Sequence, residues 1–102
     1  MNKIVPDPPP AGAPVTTFST AFASCSGSHD PVFAVRAGVD IEDALVHLSV
    51  LLRCAQVTTV KALELAEGEQ QSLLWSTQQS LDMSHALTEA VLKGVEVHTK
   101  TT

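Results

Sequence analysis

The chain has 102 residues, enough for one small domain. Its residues are 44% hydrophobic but only 4% aromatic, so any core must be aliphatic. Six basic residues against eleven acidic ones leave a formal charge of −5, which disfavours capture of nucleic-acid phosphates or anionic lipid. No apolar run approaches the roughly 18 residues that span a bilayer, so neither nucleic acid nor membrane is an expected partner.

Residues 1–30 read as a disordered Pro/Ser/Thr-rich tail. They carry five of the six prolines (Pro6, Pro8, Pro9, Pro10 and Pro14), and a Ser/Thr/Ala-rich stretch runs from Thr16 to Ser28. Proline fixes φ and lacks an amide donor, so Pro8-Pro9-Pro10 favours an extended path. Phe18 and Phe22 are four apart, but no sustained apolar stripe surrounds them. Pro6 and Pro9 satisfy P-x-x-P, a spacing that chance supplies easily. Lys3 and Phe22-Ala23-Ser24-Cys25 loosely resemble an export-processing site, yet Asp7 and the prolines occupy the place of the required apolar segment. Cys25 and Cys54 make no disulfide framework and no C-x-x-C pair, so a reduced, cytoplasmic protein is expected.

From Pro31 the pattern changes, and residues 31–94 read as a strand followed by a helical hairpin. Val32 to Ala37 is β-prone, with Phe33, Val35 and Ala37 facing one way and Arg36 the other. No convincing second strand is visible in the chain, so the same strand of a second copy is the expected partner. Asp40 caps the first helix, with Glu42 and Asp43 placed against the positive end of its dipole. Ile41, Ala44, Leu45, Leu48, Leu51, Leu52, Ala55, Ala62, Leu63, Leu65 and Ala66 follow at helical spacing, and Gly68 is the expected stop.

A second helix is expected from about Glu69 to Lys93, ended by Gly94, with 95–102 left as a polar C-terminal tail. Leu74, Leu81, Thr88 and Val95 recur every seven residues, with Leu73, Leu87, Val91 and Leu92 beside them. Trp75, Met83, Ala86 and Ala90 lie on another flank, so the apolar surface is broader than one helix can cover. The fold class is mainly α: a short N-terminal strand, then an antiparallel two-helix hairpin. Some 65 ordered residues make a thin core, and domains of that size commonly need disulfides, metal or oligomerisation. Dimerisation into a four-helix arrangement is the expected solution.

Catalytic and metal chemistry find little support. His47 and Asp43 are four apart, and His85 stands at helical spacing from both Asp82 and Glu89, which suits ion pairs on a helix face. A metal site needs three or four convergent ligands, and no H-x-x-x-H, E-x-x-H or paired-Cys motif supplies them. Ser24, Ser26 and Ser28 beside His29 lie in the tail, without a frame to fix a nucleophile. No G-x-S-x-G or phosphate-cradling glycine loop is present. Cys54 beside Arg53 suits packing better than thiolate chemistry, and Gln70-Gln71 and Gln78-Gln79 read as solvated surface. No catalytic residue, cofactor or metal is assigned.

Phe33-Ala34-Val35-Arg36-Ala37-Gly38-Val39-Asp40, then Glu42-Asp43-Ala44-Leu45, Leu48 and Leu51 to Ala55, resembles a family of short bacterial proteins catalogued only as a domain of unknown function. The likeness covers most of 31–93 and is strongest from Phe33 to Ala55. It implies a stand-alone helical protein and brings no activity, ligand or site residue. The functional expectation is a non-enzymatic homodimeric interaction or regulatory module with an unidentified protein partner. Phe33, Val35, Trp75 and Met83 are its possible interaction surface. The alternative is a small-molecule or metal-binding helical bundle using His47, His85 and Cys54.

Overall fold

Two short strands and two long helices follow one another in a computed structural model that describes residues 13–101: β1 (Thr20–Phe22), β2 (Phe33–Val35), α1 (Ile41–Leu65) and α2 (Gly68–Thr101). The expected strand is present as β2, but its partner belongs to the same chain. β1 pairs with it antiparallel, Thr20 opposite Val35 and Phe22 opposite Phe33. Three residues, Thr-Ala-Phe, are too few to show alternation amid serines and threonines, so β1 was not legible as a strand. The loop between the strands turns through positive φ at Ala23, Cys25, Ser26 and Gly27. Residues 13–30 therefore hold a strand and its turn, where a tail was expected; the expectation for residues 1–12 lies outside the described residues.

The pairing continues from the strands to the root of α1. Thr16 bridges Asp40, and the Ile41 amide donates to the Val15 carbonyl at 3.0 Å. Thr17 is the clamp: its hydroxyl donates to Arg36 O (2.6 Å) and accepts from the Val39 amide (3.1 Å). Between Thr20↔Val35 and Thr16↔Asp40 the register slips by one residue. Gly38, at φ +85°, lies within that stretch and adopts a conformation open to glycine at little cost.

Asp40 caps α1 as its sequence position requires, its carboxylate accepting from the Glu42 amide at 3.0 Å. The helix ends at Leu65, before the expected stop. Ala66 leaves the helical region at ψ 154°, and Gly68 opens α2 at φ +59°. A link of two residues between the helices enforces the antiparallel hairpin. α2 runs through Gly94 to Thr101, so most of the expected C-terminal tail is helix. A mid-helix glycine costs about 1 kcal/mol. Beyond it Val95 is half-buried, and Ala13, Pro14 and Val15 border the same groove as Val91, Gly94 and Val95.

The hairpin packs along a narrow seam. Less exposed positions recur at alternating spacings of four and three: Leu45, Ser49, Leu52, Gln56, Thr59 and Leu63 on α1, and Leu74, Gln78, Leu81, His85, Thr88, Leu92 and Val95 on α2. That alternation is the repeat of a coiled-coil seam. The expected column Leu74, Leu81, Thr88 and Val95 supplies four of the seven α2 positions. Among the described residues only Leu92, Gln78 and Thr88 are fully buried. The chain exposes 8354 Å², against about 5,500 Å² for a compact monomer of its mass. Its radius of gyration is 18.3 Å, where a compact chain of this length has about 13 Å.

Candidate functional site

Two polar layers cross the seam. In the first, the Ser49 hydroxyl donates to Glu89 Oε1 and lies 3.4 Å from His85 Nε2, while Glu89 Oε1 sits 3.5 Å from the same nitrogen. Serine, histidine and glutamate meet here, but not as a catalytic relay. In a relay the acid holds the ring nitrogen opposite the one facing the serine, whereas this carboxylate engages the serine itself and the shared Nε2. The cluster ties α1 to α2. In the second layer the Gln56 and Gln78 amides both donate to Asp82 Oδ1, at 2.8 and 2.9 Å. Gln78 is thus a seam residue and not solvated surface. The Oε1 atoms of Gln56 and Gln78 are buried without a hydrogen-bond partner.

The residues of the metal reading are not gathered. His47 and Cys54 are exposed while His85 is half-buried in the seam. His47 and Cys54 lie on the outer face of α1, about 10.5 Å apart along the helix, and that face points away from the seam that holds His85. Among the described residues no three His, Cys, Asp or Glu side chains group as a metal site. Nor is any helix there long and apolar enough to cross a membrane. Cys25 and Cys54 are both free and exposed.

The four candidate interaction residues are all exposed, but they do not form one surface. Phe33 and Val35 share a face of β2, and the Phe33 ring stacks on Phe22 with centroids 5.8 Å apart. Trp75 lies beside the helix turn, bordering a shallow groove with Leu63, Gln71 and Ser72. Met83 lies on the outer side of α2, away from the seam.

A more coherent surface flanks the seam. One step before each seam position, α1 places Ala44, Leu48, Leu51, Ala55, Thr58 and Ala62, and Leu65 continues the strip at the end of the helix. The matching flank of α2 carries Leu73, Thr77, Ser80, Ser84, Leu87 and Val91. In an antiparallel pair these two flanks lie side by side, and neither contains a charged residue. The opposite side carries Arg53, Glu64, Asp82, Glu89, Lys93 and Glu96 among exposed Val46, Val50, Val57, Val60 and Trp75, so apolar and charged groups mix there. Arg53, Val57, Val60 and Glu64 of α1 line one groove with Asp82 of α2, which shows that these flanks adjoin. On the uncharged side Leu48, Leu51, Leu65, Leu73, Leu87 and Val91 all remain exposed, Leu65 at 86%. Sequence reasoning found the excess of apolar surface but not this side. Its signal was the absence of charge at alternating four-and-three spacing on both helices.

A family model described as a protein of unknown function (DUF3077) matches residues 16–94. The match starts at Thr16, which is bridged to Asp40 at the root of α1, and so includes both strands, α1 and α2 as far as Gly94. No curated protein and no solved structure matches the chain.

Proposed function

The chain belongs to the DUF3077 family, and from that premise we propose that it is a non-enzymatic interaction module that works as a homodimer. The observation that carries this reading is the uncharged side of the hairpin. Leucines and valines exposed there cost roughly 25 cal/mol per Å² relative to burial. A stable dimer removes about 800 Å² from each partner, and Leu48, Leu51, Leu65, Leu73, Leu87 and Val91, all exposed on this side, offer apolar area for it. A homodimer in which each copy covers the other's uncharged side leaves the mixed-charge sides facing solvent, where a further protein can be recognised. Free, exposed Cys25 and Cys54 suit the reducing cytoplasm.

Light scattering on a sizing column across a concentration series tests the reading. The expected mass is twice that of the 10.8 kDa chain. A monomer throughout the series would overturn it.

A further inference from the structure

The N-terminal arm, residues 13–40, presents a second uncovered apolar surface. Alternation places Thr20 and Phe22 of β1 on the same face as Phe33 and Val35 of β2. No charged group stands among them, and Phe33 is 60% exposed. Phe18, on the approach to β1, is 88% exposed. Neither strand packs against either helix: the strands touch each other, and the helices touch each other. A two-stranded ladder is marginal alone and needs a further strand or a helix against its apolar face.

The arm is anchored where it can reach such a surface. Its root is held to α1 by the Ile41–Val15 hydrogen bond. Ala13, Pro14 and Val15 lie beside Val91, Gly94 and Val95, on the uncharged side of the hairpin. The arm therefore leaves from the edge of the side that lacks a cover. Each chain carries one uncovered sheet face and one uncovered helical side, both without charge, and they do not meet within the chain. A two-fold exchange closes both at once, because in such an interface each contact occurs twice.

Resting on the homodimer reading above, we propose that each copy lays the phenylalanine face of its arm across the uncharged side of its partner's hairpin. Phe18, Phe22 and Phe33 of one copy then pack on the leucine side, including Leu51, of the other.

Sedimentation equilibrium on the full chain tests this with Phe18→Ser on the arm and Leu51→Glu on the helical side. Both residues are largely exposed within a single chain, so helical circular dichroism should be unchanged. Each variant should weaken the dimer at least tenfold. An equimolar mixture should form a heterodimer tighter than either variant homodimer, because one arm-to-side contact is intact only in the mixed pair. A wild-type chain that never dimerises would overturn the homodimer reading and this inference with it. A dimer that Phe18→Ser and Phe33→Ser both leave at wild-type affinity would overturn the arm exchange while the homodimer stands. Weakening by both variants without preference for the mixed pair would also overturn it, and would point to arm-on-arm or side-on-side contact.

Discussion

Replacing Gln78 with leucine should stabilise the protein, although it deletes a hydrogen bond. The side chain is only 8% exposed and sits in the seam between α1 and α2. Its amide nitrogen donates to Asp82 at 2.9 Å, while its oxygen is buried without a partner. A hydrogen bond to a charged group contributes about 1.5–3 kcal/mol, and an orphaned buried acceptor costs about 1–3 kcal/mol. Burying a leucine in place of the amide contributes about 1.5–3 kcal/mol more. Asp82 keeps the bond from Gln56, at 2.8 Å, so its carboxylate is not stranded. The balance favours Gln78→Leu by about 1–2 kcal/mol, or about 4–8 °C in Tm per kcal/mol. The assay is urea denaturation followed by helical circular dichroism, at one fixed protein concentration so that association is held constant. A lower urea midpoint with unchanged slope would refute the reasoning, and would mean that the polar layer contributes more to the hairpin than its orphan costs.

Three further outcomes follow from single sites. Gly94→Ala should stabilise by about 0.5–1 kcal/mol, since the residue is inside α2 and a methyl there meets nothing within 4 Å; thermal melting checks it. Asp40→Ala should cost about 1 kcal/mol by removing the cap on the Glu42 amide, seen as a lower denaturation midpoint. Thr17→Val removes both hydroxyl bonds to the α1 root and leaves the Val39 amide unpaired on that side. Amide hydrogen exchange at residues 16–22 and 33–40 should quicken while exchange in the α1–α2 seam stays at the wild-type rate.

The helices were legible because their signals are local and repeated. Asp40 before two acids marks a start wherever it is met, and the column Leu74, Leu81, Thr88, Val95 needs only periodicity. The ends were less so. Gly68 and Gly94 looked alike as stops, yet one opens α2 and the other lies within it. Which outcome a glycine takes depends on packing beyond it, here Val95 and the segment Ala13–Val15. β1 escaped notice for a related reason: three residues acquire strand geometry only when β2, 11 residues further on, is brought alongside.

Among the candidate interaction residues, Phe33 and Val35 follow from alternation on one strand, and Trp75 and Met83 from an apolar flank of the second helix. The structure sets Phe33 and Val35 on the arm, Trp75 by the turn and Met83 on the outside of α2. The uncharged side was harder to see because it is assembled from both helices. Each contributes a strip that borders the other only once the antiparallel register is fixed.

Sequence alone determined that this is a small, aliphatic, mainly helical chain with too much apolar surface for two helices to bury. Those properties are sums over residues and their spacing. Tertiary structure decided which leucines enter the seam and that Gln78 and His85 join them. It also decided that Thr20–Phe22 pair back onto β2, and that the uncharged strips of the two helices border each other on one side of the hairpin. These are choices among faces of the same helix, and only the position of the other chain segments distinguishes one face from the next.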